Sequence, residues 1–172
     1  MVAFAGLAAL LLTGCAAEAE APATAQAAPP ALELSGRVVD AADIITDPKE
    51  AELTQTLETL EKDTGVQMVV ATTPNLNGQT ISDYSLDLAN SWGLGSAERN
   101  DGLLLLAAPT ERRVRIEVGY GLEASVRDEE ASFIIQNEIL PHFRSGEYKI
   151  GITAAVDAPI REVTPYELKE AA

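Results

Sequence analysis

The sequence predicts a three-layer α/β/α sandwich built on a mixed sheet, and two observations carry the prediction. First, apolar spacing alternates along the chain between the strand period of two and the helix period of about 3.6. Second, residues 102–108 (GLLLLAA) form a continuous apolar run, and the short turn Pro109-Thr110-Glu111-Arg112 joins it to a strictly alternating run at 113–118 (RVRIEV). A continuous run marks a strand buried on both faces, and two runs linked so closely read as an antiparallel hairpin. Such a sheet needs helices on both faces to cover it.

The elements follow in order. Arg37-Val38-Val39-Asp40 reads as a short first strand or extended entry segment. Asp47 is expected as the N-cap of the first helix, with Pro48 at its first position and Glu50 completing a capping-box-like pair. Leu53, Leu57 and Leu60 share one face of that helix, and Gly65 marks its end. Residues 66–72 (VQMVVAT) read as a buried strand, followed by a loop from Pro74 to Gly78. Ile81, Tyr84, Leu88 and Trp92 are in helical step, and Gly93 and Gly95 close that helix. A third helix is expected from Asp128 towards Leu140, stopped by Pro141. A fourth is expected from about Glu147, limited by Pro159.

The N-terminal part is organised differently. Residues 1–14 carry no charge, and Val2 to Leu12 is an apolar stretch of signal-peptide length, short of the roughly 20 residues that span a bilayer. It runs into Leu12-Thr13-Gly14-Cys15, which resembles a bacterial lipobox: an apolar residue, two small ones, then the cysteine that takes the lipid. Residues 1–14 are therefore expected to be a signal peptide and Cys15 the lipidation site. Residues 15–31, rich in Ala, Pro and Glu, lack large apolar side chains and read as a disordered tether with a coil span of roughly 20–25 Å. The expected location is the cell envelope, with the domain outside the cytoplasm and a lipid anchor holding it to a bacterial membrane.

Composition narrows the function. The 172 residues hold 12 Lys+Arg against 27 Asp+Glu, a formal net charge of −15. That balance argues against nucleic acid as a partner, because phosphate binding depends on clustered Lys and Arg. One cysteine excludes an internal disulfide framework, and one histidine, His142, excludes a multi-histidine zinc site. His142 itself reads as a packing or dipole partner at a helix end. Gly119-Tyr120-Gly121 imitates half of a dinucleotide loop but lacks the third glycine.

The hairpin supplies the geometric inference. In an antiparallel pair, the start of the first strand lies beside the end of the second. Asn100 and Asp101 should therefore sit close to Gly119-Tyr120-Gly121-Leu122-Glu123 and to Asp128. This gathers an amide oxygen and carboxylates at one sheet edge, the donor type that a hard cation such as Ca²⁺ takes in sets of six to eight. Each residue also has a plain structural reading: Asp128 as an N-cap, Asp101-Gly102 as a turn pair, Glu123 as a solvated charge.

Several motifs together resemble one family. They are Ser91-Trp92-Gly93-Leu94-Gly95, then Arg99-Asn100-Asp101-Gly102 with the leucine run, then Arg115-Ile116-Glu117-Val118-Gly119-Tyr120-Gly121-Leu122-Glu123, Asp128, and Ile139-Leu140-Pro141-His142-Phe143-Arg144-Ser145-Gly146-Glu147-Tyr148. In this order they resemble the TPM domain family, named for a thylakoid lumen protein, a photosystem II repair protein and a levamisole-receptor modulator. The resemblance implies a TPM domain at residues 32–165, with 166–172 as a C-terminal tail. It also implies export, membrane association, divalent-cation binding and assistance to membrane protein complexes. On this chain it points to Asn100, Asp101, Glu123 and Asp128, with Asp40 as an outlying fifth residue, as a Ca²⁺ site. The expected function is docking on an envelope protein complex without catalysis, because the residues show no catalytic constellation. The alternative is a weak metal-dependent acid phosphatase, as in plant relatives.

Overall fold

A computed structural model of the protein describes residues 32–170. The signal peptide, Cys15 and the tether at 15–31 lie outside the described residues, as do residues 171–172.

Four strands form one sheet in the order β1-β2-β3-β4. They are β1 (Val38–Asp40), β2 (Gln67–Thr72), β3 (Gly102–Ala108) and β4 (Arg113–Val118). The first three run parallel, and β3 and β4 pair antiparallel with Leu103 opposite Val118 and Ala108 opposite Arg113. The hairpin and the mixed sheet are as the sequence predicts. Every residue of β3 is buried, which explains its unbroken apolar run: both faces are covered.

Alternate residues of the strands feed two cores. Met68, Val70, Leu103 and Leu105 pack against α1 (Asp47–Thr64) and α5 (Tyr148–Glu170). Val69, Ala71, Leu104 and Leu106 pack against Tyr84 and Leu88 of α2 (Ile81–Trp92) on the other face. One consequence is topological. The connections β1-α1-β2 and β2-α2-β3 step in the same direction across the sheet, yet their helices lie on opposite faces. Two right-handed crossovers would place both helices on one face, so one of the two is left-handed, against a strong general preference. The chains leaving the carboxyl ends of β1 and β2 therefore diverge to opposite faces.

The helix boundaries correct three expectations. The N-cap of α1 is Thr46, not Asp47, because Thr46 still has extended backbone angles while Asp47 is already helical. Thr46 O accepts the N–H groups of Lys49 and Glu50, and no side chain completes a capping box. Second, Pro141 does not stop the third helix. The segment continues from α3 (Asp128–Ile134) through a π turn (Ile135–Ile139) into α4 (Leu140–Arg144). Leu140 N–H reaches back five residues to Ile135 O, and Pro141, which lacks an N–H, sits near the start of the new turn, where the missing donor costs little. Third, Pro159 lies inside α5 and is buried. An interior proline costs a helix about 3 kcal/mol. Here the loss is offset by burial of neighbouring Ile152, Ala155, Val156, Ala158 and Val163 in the larger core.

Candidate functional site

The amino end of β3 is held by one carboxylate. Asp101 is 3% exposed, and its Oδ1 accepts Ser96 N–H at 2.7 Å while its Oδ2 accepts Arg99 Nε–H at 2.6 Å. Burial by itself would raise the carboxyl's pKa. The hydrogen bonds from the Ser96 backbone and the Arg99 guanidinium outweigh it and hold the value below the ordinary range. Arg99 also donates to Gly65 O at 3.2 Å, tying this loop to the end of α1. Gly95, at φ +86°, donates its N–H to Gln67 Oε1 at 2.7 Å.

The chain leaving β4 crosses directly over this loop. Gly119 N–H donates to Gly102 O at 2.8 Å, and Gly121 N–H donates to Asn100 O at 3.1 Å. A Cβ on Gly119 would overlap Asn100 O, and one on Gly121 would overlap Arg99 O. Only glycine permits this approach, and the residue between the two is pushed outward: Tyr120 is 83% exposed, at the start of a 3₁₀ turn (Tyr120–Leu122) whose last residue, Leu122, is buried in the core. A groove of about 370 Å³ opens beside it between α2 and β4, lined by Leu86, Asn90, Asn100, Arg115, Tyr120 and Glu123 among others. Arg115 is held by Glu117, Nε to Oε2 at 2.8 Å, and Ser85 Oγ donates to the same oxygen at 2.8 Å.

The five residues singled out from the sequence thus separate. Asn100, Asp101 and Glu123 meet at one sheet edge as expected, with Asn100 and Glu123 both on the groove. Asp128 opens α3, where only its backbone is described. The N-cap there is Arg127, not Asp128, because Asp128 is the first residue inside the helix, and Arg127 N–H is taken by Glu130 Oε2 at 2.9 Å. Asp40 is at the opposite edge. It pairs with Thr72, which pairs with Ala107, five positions along β3 from Gly102. At about 3.3 Å per residue that is roughly 16 Å along the strand direction, with two strand spacings across the sheet besides.

At its own edge, Asp40 Oδ2 accepts Ile45 N–H at 2.7 Å and Oδ1 accepts the Thr72 hydroxyl. The Glu50 carboxyl nearby has its pKa raised, by burial first and then by the charges of Asp40, Asp47 and Asp43. Sequence reasoning passed over this second acidic neighbourhood at the carboxyl end of β1. The signal was four carboxylates within eleven residues, at 40, 43, 47 and 50.

The donor sets can be weighed against a cation. Both oxygens of Asp101 already accept N–H groups, which leaves the Asn100 amide and the Glu123 carboxylate as side-chain donors at that edge. Ca²⁺ takes six to eight oxygens, so an ion there would keep much of its water. Among the described residues, no three His, Cys, Asp or Glu side chains are grouped closely enough to hold a metal. His142 Nδ1 lies 3.1 Å from Glu147 Oε2, a contact between neighbouring turns.

Comparison with known proteins bears on the fold. The family model described as TPM domain matches residues 38–162. Among solved structures, the N-terminal domain of a protein from P. gingivalis is 35% identical, with a TM-score of 0.72, covering 78% of this chain and 86% of that one. The N-terminal domain of a Corynebacterium glutamicum protein is 15% identical (TM-score 0.59, 85% and 86% covered), and the BA42 protein from Bizionia argentinensis is 18% identical (TM-score 0.62, 71% and 83% covered). These two share the fold. No curated protein matches the sequence.

Proposed function

Because the chain belongs to the TPM domain family, we propose that it is a non-catalytic docking domain, held at a bacterial membrane by a lipid on Cys15 and offering the Tyr120 groove to an envelope protein complex. The observation that carries this reading is the fixed exposure of Tyr120. Two glycine crossings and a buried Leu122 hold a large aromatic side chain in water beside a groove. Exposed aromatic anchors on rigid supports are where interfaces concentrate their energy. A divalent cation, Ca²⁺ foremost, is proposed as an accessory at the Asn100 and Glu123 rim, with Asp128 nearby in sequence and Asp101 shaping the loop.

In-membrane crosslinking through a photoreactive group at Asn90, which lines the same groove, tests the docking. Capture of one envelope complex by the native chain, lost with Tyr120→Ala, is the expected result. Equal capture by both would sink it. Calcium should raise the melting temperature by mass action, with Glu123→Gln removing the rise, and an unchanged melting curve would end the cation proposal. Metal-dependent turnover of a generic phosphoester that Glu123→Gln abolishes would favour the phosphatase reading instead. Cys15→Ser protein is expected to leave the membrane fraction.

A further inference from the structure

A second groove, of about 330 Å³, lies between α3 and α5, away from Tyr120. Phe133 lines it, 62% exposed on a helix whose Ala131 and Ile134 are buried. Glu129, Glu130, Glu138 and Glu162 line the same groove, with Arg161 as the one cation of the lining. Arg161 is committed to Glu138, Nη2 to Oε2 at 2.9 Å. Glu130 spends one oxygen on Arg127 N–H and keeps its charge. Three carboxylates therefore share the groove with an exposed phenyl ring, without an ion pair among the described residues.

We propose that this groove docks a basic segment of another protein, one with Lys or Arg residues flanking an aliphatic or aromatic side chain. The apolar residue would cover Phe133, and the cations would meet Glu129, Glu130 and Glu162. Charge decides against other occupants. A second copy of the chain brings a net charge of −15, and the tether at 15–31 carries Glu18 and Glu20 but no Lys or Arg. An anionic lipid surface would be repelled. The surface is distinct from the Tyr120 groove, so the inference extends the docking reading without depending on it.

The probe is a short fluorescent amphipathic peptide of Lys and Leu, with a twin in which Glu replaces Lys. Fluorescence anisotropy on the full chain should show binding of the Lys peptide alone, weakening with salt as exposed charges are screened over about 10 Å at 0.1 M. Phe133→Ala should weaken it about tenfold, the loss expected of an interface anchor, with circular dichroism unchanged. Glu129→Gln with Glu162→Gln should flatten the salt dependence, whereas Glu58→Gln with Glu61→Gln on α1 should not. Equal binding by Phe133→Ala overturns the proposal, as does equal loss from the α1 pair or equal binding of the Glu twin. Self-association of the native chain that Phe133→Ala abolishes would assign the groove to a second copy and overturn it as well. Tyr120→Ala should leave peptide binding unchanged, so failure of either reading is distinguishable from failure of the other.

Discussion

Arg99 lies against Asp101, its Nε–H donating to Oδ2 at 2.6 Å while another guanidinium nitrogen reaches Gly65 O. A residue pair that looks like part of a cation site is thus a clamp joining three segments: the loop after α2, the end of α1 and the start of β3.

Asp101→Asn should therefore act on stability before it acts on any ligand. An amide can accept from Ser96 N–H or from Arg99, but it cannot supply the charge. A loss of about 1–3 kcal/mol is expected, the scale for breaking a hydrogen bond to a charged group, read by urea denaturation. The pH dependence has a definite sign. Because the folded pKa is lowered, the native clamp's contribution is present above the ordinary aspartate value and is lost as pH falls through the lowered one. The Asn variant should lack that acid-side decline.

Gly121→Ala should disturb the crossing of the two backbones. The added Cβ would collide with Arg99 O, a backbone atom with no rotamer to escape into. Overpacking of this kind costs about 1–3 kcal/mol, so a fall in melting temperature is expected. Gly78→Ala is the control for a glycine with open space around it. Its own cost comes only from its positive φ, +80°. A smaller loss at 121 than at 78 would contradict the close-approach argument.

Tyr120→Ala should leave stability within about 0.5 kcal/mol of the native chain, as expected of a surface position. Matching denaturation midpoints, together with lost docking, would separate an interface role from a structural one.

Glu50→Gln probes the other edge of the sheet. Glu50's folded pKa is raised by burial and by Asp40, Asp47 and Asp43, so its contribution is fully present below the ordinary glutamate value and is lost as pH rises through the raised one. The Gln variant should melt slightly higher than the native chain at neutral pH, with the difference closing in acid. An advantage that grows on acidification would show that the shift has the opposite sign.

Much of the fold is legible because it rests on local rules. The seven-residue apolar run, the alternating partner strand and Gly65 at φ +78° each state their role without a neighbour. The meeting of Asn100 and Asp101 with Gly119–Glu123 was legible too, because antiparallel pairing converts sequence order into proximity. Asp40 was not. Its distance from Asp101 depends on a parallel register passing through two other strands, which no local pattern records. Nor was the commitment of Asp101 to N–H donors, since burial of a carboxylate depends on what folds over it. Pro141 and Pro159 misled for a related reason: a proline's cost is local, but the packing that offsets it is tertiary.

The π turn carries angular information. A helix turns about 100° per residue, so Ile134 and Ile139, five apart, would point about 140° away from each other on a regular helix. Both are buried in the same core, and the wider turn between them supplies the missing rotation. One residue in 135–139 therefore works as a phase setting for what precedes it. Deleting one residue there would swing the α3 face through about 100°, so the direction in which Phe133 looks is set by a residue count several positions downstream.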